Sequence, residues 1–99
     1  MQNYLDLTGK IALVTGASSG IGAATATVLA DLGASVAIGY FHNEKGAGEV
    51  RVSIGATGGK AIAIKADVRR AGEIRTMFDR VTSELGPIDI LVNNAGSLV

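Results

Sequence analysis

Apolar residues along the chain follow two different rhythms. Ile11–Thr15 is a short, largely apolar run between Lys10 and Gly16 and predicts a buried strand. From Ile21 to Leu32 the rhythm becomes helical. Ile21, Ala24, Val28 and Leu32 recur at three- and four-residue steps, so they share one face. Gly33 stands where a left-handed helix C-cap is wanted, and Ser35–Tyr40 predicts a second strand. Glu44–Ile54 is a weaker helix. Gly46 and Gly48 each cost about 0.5–1 kcal/mol relative to alanine in a helix interior, and Val50, Val52 and Ile54 alternate at strand period. A helix is still expected there, because a parallel crossover needs one.

Gly58-Gly59 turns the chain into a third strand, Ala61–Lys65. Ala71–Leu85 has the cleanest helical pattern, with Ile74, Met77, Phe78, Val81 and Leu85 in one stripe and Gly86-Pro87 as the stop. Its start is unorthodox: Arg69 and Arg70 occupy the place of a Ser or Asp cap and oppose the helix dipole. Ile88–Asn93 is the fourth strand. Strands alternating with helices predict an α/β fold, a parallel sheet with right-handed crossovers and helices on both faces.

Composition narrows the function. With 99 residues, 47% of them apolar, the chain holds one cored domain or part of one. Nine basic and nine acidic residues cancel, which argues against a nucleic-acid partner or a polybasic membrane surface. The lack of cysteine excludes disulfides, thiolate metal sites and cysteine nucleophiles, and a single histidine excludes a histidine-rich metal centre. No metal ligands are expected. No apolar run approaches the roughly 20 residues of a membrane span. The start, Met1 to Asp6, has no signal-peptide pattern, so a cytoplasmic location is expected.

The chemistry sits at the first strand-to-helix junction, Thr15-Gly16-Ala17-Ser18-Ser19-Gly20-Ile21-Gly22. A helix N-terminus there offers unpaired N–H groups and a positive dipole end, which suit a pyrophosphate. Gly16 allows a sharp turn, Gly20 allows close approach of an anion, and Gly22 allows close helix packing. Ser18 and Ser19 add hydroxyl donors. An ordinary glycine-rich turn is the competing reading, since glycines alone are weak evidence. The Gly-x-x-x-Gly-x-Gly spacing differs from the common Gly-x-Gly-x-x-Gly, and the Gly-Lys-Ser/Thr ending of a triphosphatase loop is absent.

This turn, Asp67-Val68 after the third strand and Asn93-Asn94-Ala95-Gly96 after the fourth together resemble the short-chain dehydrogenase/reductase family. Leu7–Val14 fits as well, and the resemblance covers essentially the whole chain. Its closest flavour is the 3-oxoacyl-carrier-protein reductase-like group. The resemblance implies a Rossmann-type sheet of which residues 1–99 form the N-terminal half, and a nicotinamide dinucleotide as ligand. Gly16, Ser18, Ser19, Gly20, Ile21 and Gly22 match the positions that hold the pyrophosphate and adenosine ribose. Asp67 matches the acid that meets the adenine amine, with a helix-capping acid as the competing reading. Val68 packs beside that ring. Asn94, Ala95 and Gly96 match a stretch that passes along the cofactor ribose, and Asn93 matches an asparagine that ties strands together.

Cofactor choice turns on the end of the second strand. An NAD site places an acid about 20 residues after the glycine turn, on the ribose 2′-OH. Here Gly39-Tyr40-Phe41-His42-Asn43 offers none, and Glu44 comes late. NADP is therefore preferred over NAD. The basic residue that family members using NADP often carry is replaced by Ser19. His42 or Lys45 is then the candidate to reach the 2′-phosphate, although a solvated loop is the alternative reading of His42. Tyr40 either lines the adenine pocket or covers the sheet edge.

The family moves hydride between the cofactor and a carbonyl or alcohol substrate. It uses a tyrosine whose pKa is lowered by a lysine four residues later, together with a serine. Only Tyr4 and Tyr40 are present, followed at that spacing by Thr8 and Glu44, so no catalytic residue is assigned. The expectation is an N-terminal piece of an oxidoreductase, inactive alone and prone to associate through its fourth strand, from a parent that forms homotetramers. The competing readings are a non-catalytic nucleotide-binding or interaction module ending at Val99, and another Rossmann-like class such as a methyltransferase.

Overall fold

A computed structural model describes residues 5–95. The elements run β1 (Ile11–Val14), α1 (Gly20–Asp31), β2 (Ser35–Tyr40), α2 (Glu44–Ala56), β3 (Ala61–Lys65), α3 (Ala71–Glu84) and β4 (Ile90–Val92). The strands form one parallel sheet in the order β3-β2-β1-β4. The chain steps outward from β1 to β3 and then crosses back to lay β4 on the other side of β1. That reversal opens a crevice between neighbouring loops at the carboxyl ends of β1 and β4, where ligands of such sheets bind.

The two faces of the sheet are covered separately. Ala12, Val14, Val36 and Ile38 pack under α1 and α2, against Ala26, Ala30, Ala47 and Ile54. Leu13, Ala37 and Ile64 face α3, against Met77 and Val81. The α3 stripe is as expected, with Ile74, Phe78 and Leu85 half-buried at its margins.

The apolar stripe of α1 is not the face it buries. Ile21 is 77% exposed and Val28 55% exposed, whereas Gly22, Ala26 and Ala30 are buried. The helix lies so close to the sheet that only small residues fit under it. The period is still helical, but its phase follows residue size and not residue hydrophobicity. In α2 the small residues serve the same end. A Cβ at Gly46 would overlap the Ser18 carbonyl oxygen and the Asn43 side chain, so this glycine lets α2 touch the first turn. Asn43 caps the helix by accepting from the Gly46 N–H at 2.9 Å.

Gly33 is the expected left-handed cap, with φ +109°. Gly33 N–H donates to Ala30 O and Ala34 N–H to Leu29 O, the bond pattern of a Schellman ending. β4 is shorter than expected. Asp89 lies before it and instead ties the start of β1, its carboxylate accepting the Ile11 N–H at 2.9 Å. As the last strand in the sheet order, β4 leaves Leu91 52% exposed.

Candidate functional site

β1 is followed by Thr15, whose buried hydroxyl joins two chain segments. It accepts the N–H groups of Asn94 at 2.9 Å and Ala95 at 3.0 Å, and it lies 3.2 Å from Asn93 Oδ1 as a donor. The tying role expected of Asn93 is therefore shared with Thr15, which the sequence marked only as the start of the turn. Asn94 closes the same junction from its side chain, donating through Nδ2 to the Gly16 carbonyl at 3.1 Å.

Two glycines make this junction possible. Gly16 has φ +63°, and a Cβ on it would lie 2.9 Å from the Ala95 Cα. Gly22 is packed against the Gly16 carbonyl oxygen, with no room for a side chain. The turn between them leads from β1 into α1, and its Gly16 and Ser18 line the crevice. Ser19 caps α1 with its backbone but makes no side-chain cap bond, and the first turn of α1 holds no acid. Glu44 and Glu73, by contrast, stand in the first turns of α2 and α3. The first N–H groups of α1, which no helix can pair internally, are thus left with an uncompensated positive dipole end.

A cleft of about 680 Å³ opens at this place. Its walls include Gly16 and Ser18 from the turn, Tyr40, Phe41 and His42 from the end of β2, Asp67, Val68 and Arg69 from the end of β3, and Asn93 and Ala95 after β4. Ile74, Met77, Phe78 and Leu91 add an apolar side. Of the residues expected from sequence, Gly16, Ser18, Tyr40, Asp67, Val68 and Ala95 meet in this cleft. Ser19, Gly20, Ile21 and Gly22 lie at the start of α1, and Asn94 holds the turn from behind. Gly96 lies outside the described residues. Phe41 and Arg69 had no assigned role. Arg69 was legible only as a misplaced charge, and Met77 and Phe78 only as core.

Asp67 is nearly enclosed, its side chain 5% exposed. Oδ1 accepts both the backbone N–H of Arg69 at 3.0 Å and its Nε at 2.9 Å, while Oδ2 accepts Arg69 Nη2 at 3.0 Å. Arg70 Nε stands 3.5 Å from Oδ2. These hydrogen bonds from Arg69, side chain first, lower the Asp67 pKa to about 2. The arrangement also answers the odd start of α3. The arginine charges there are neutralised by Asp67 and Glu73, and Glu73 reaches back to accept the Asp67 N–H at 2.8 Å. Asp67 thus organises the start of α3, and it also lies in the cleft wall.

The family model for short chain dehydrogenases matches residues 10–99. The chain belongs to the short-chain dehydrogenase family. This decides against a methyltransferase-like domain. An uncharacterised oxidoreductase of Methylorubrum extorquens is 49% identical over 90 residues, covering 91% of this chain and 36% of the relative. A hydroxynaphthalene reductase of Aspergillus fumigatus is 48% identical over 93 residues, covering 94% and 34%. Among solved structures, a short chain dehydrogenase from Burkholderia cenocepacia in complex with NADP superimposes with a TM-score of 0.90 at 50% identity, covering 94% of this chain and 38% of that one. A dehydrogenase/reductase from Sinorhizobium meliloti gives 0.90 at 47%, covering 92% and 36%. The chain therefore spans about a third of the length of the curated relatives it matches. Among the described residues, no helix is long and apolar enough to cross a membrane.

Proposed function

We propose that residues 1–99 are the dinucleotide-binding half of an oxidoreductase that passes hydride between NADP(H), or NAD(H), and a carbonyl or alcohol substrate. The observation that carries this reading is the glycine turn. It puts Gly16 and Ser18 in the wall of a cleft at the point where the strand order reverses, directly before an α1 that has no side-chain cap. When bound, the nicotinamide supplies or accepts the hydride. The chain's own part is to bind and orient.

In this reading the first-turn N–H groups of Gly20, Ile21 and Gly22, with the Ser18 and Ser19 hydroxyls, hold the pyrophosphate. Tyr40, Asp67 and Val68 form the adenine end. Oδ2 of Asp67 carries one hydrogen bond, from Arg69 Nη2, and its second lone pair is the acceptor this reading assigns to an exocyclic amine. Asn94, Ala95 and Gly96 pass along the ribose. NADP is preferred over NAD because no acid follows β2.

The catalytic residues belong to a longer parent, whose tetrameric assembly and cytoplasmic location rest on the family resemblance and the sequence alone. Calorimetric titration of the folded chain with NADP and NAD tests the binding half of the reading, and absence of heat from both would overturn it. Sequencing past Val99 tests the other half, which requires a Tyr-x-x-x-Lys motif.

A further inference from the structure

The cation missing from the second strand is supplied from elsewhere in the chain. The place beside the ribose 2′ position, about 20 residues after the glycine turn, is taken by Tyr40, Phe41 and His42, with neither an acid nor an arginine among them. Across the cleft, Arg69 leaves the end of β3 and lays its guanidinium over the Phe41 ring, 5.6 Å from the centroid. The Phe41 and His42 rings meet at 4.1 Å, so the three side chains form one continuous ledge. Ser18 and Arg69 both line the same cleft.

Arg69 is fixed in that position. Its Nε and Nη2 bond the two oxygens of Asp67, and Asp67 also accepts its backbone N–H. A guanidinium carries five N–H donors. Two are held by Asp67, which leaves three without a partner among the described residues, on a side chain 77% exposed. A clamped, planar group with free donors is suited to a phosphate in a way that a mobile lysine is not.

Resting on the cofactor reading above, we propose that Arg69 is the residue that recognises the 2′-phosphate of NADP, and so sets the choice between the two dinucleotides. Arg69 and Arg70 face Asp67 and Glu73, so the charges of this cluster sum to zero. Selection therefore comes from directed hydrogen bonds and not from a diffuse positive field.

The test compares the chain with Arg69→Gln and Arg69→Lys by calorimetry, using NADP, NAD and 2′-AMP, with circular dichroism to confirm folding. For Arg69→Gln, NADP and 2′-AMP are expected to weaken by about tenfold or more, the loss of charge-assisted bonds, while NAD stays within about twofold. Arg69→Lys is expected to fall between. Equal weakening of NADP and NAD overturns the proposal, because Arg69 would then act only through Asp67. Tightening of both overturns it too, because Arg69 would then be competing with adenine for that carboxylate. An unsubstituted chain that prefers NAD overturns this proposal alone, whereas one that binds neither dinucleotide overturns the cofactor reading with it.

Discussion

The Thr15 hydroxyl accepts the backbone N–H of Asn94 at 2.9 Å. It does the same for Ala95 at 3.0 Å, so one side chain satisfies two N–H groups from the far end of the chain. Thr15→Val keeps the shape and removes the acceptor. It is expected to cost about 1–3 kcal/mol, the penalty for stranded donors. Thr15→Ser keeps the acceptor and is expected to lose less. Urea denaturation of the two variants measures the difference. Equal losses would show that the methyl group, and not the hydroxyl, holds the junction.

Gly22→Ala tests how tightly the turn is built. Its new Cβ would meet the Gly16 carbonyl oxygen and lie 2.7 Å from Asn94 Nδ2, and the first of these is backbone that cannot rotate away. The expected cost is about 1–3 kcal/mol, typical of overpacking, together with loss of dinucleotide binding as the turn is pushed out of place. A variant that still binds NADP with unchanged affinity in calorimetry would show that the turn has slack.

Gly48→Ala is expected to do the opposite. Gly48 lies inside α2, and a Cβ there meets nothing within 4 Å. The substitution removes backbone freedom from the unfolded chain at no steric cost, for a gain of about 0.4–1 kcal/mol. In a domain of this size that raises the thermal midpoint by roughly 4–8 °C per kcal/mol. A scanning calorimetry trace with no upward shift would count against the open surroundings of this position.

These glycines show what the sequence could and could not reveal. Strand positions, the parallel sheet and the glycine turn were legible, because hydrophobic period, element alternation and turn chemistry are read along the chain. The buried face of α1 was not. Ile21 and Val28 carry the hydrophobic signal, but Gly22, Ala26 and Ala30 carry the contact, and that choice depends on how near the sheet lies. Gly46 lowers helix propensity for a reason visible only once Ser18 is beside it. At the cleft, the motif marks Asp67 and Val68 as candidates, whereas Phe41 and Arg69 meet across 27 intervening positions, which no spacing rule encodes. Arg69, a poorly placed cap by residue type alone, is neutralised by its Asp67 partner.

That partnership carries a pH dependence of known sign. Hydrogen bonds from Arg69 hold the folded-state pKa of Asp67 at about 2, below its ordinary value of 3.8. A carboxylate with a lowered folded pKa stabilises the fold at pH values above its unfolded pKa. The contribution is therefore complete above about pH 4–5 and fades as pH falls through 4 towards 2. In Arg69→Gln the folded pKa is expected to return towards the ordinary value, so this part of the acid dependence shrinks. Thermal midpoints of the chain and the variant, measured from pH 2 to pH 6, should differ most at the upper end and converge at the lower. A gap that stays constant to pH 2 would mean that Arg69 stabilises the start of α3 by packing on Phe41 and not through the Asp67 carboxylate.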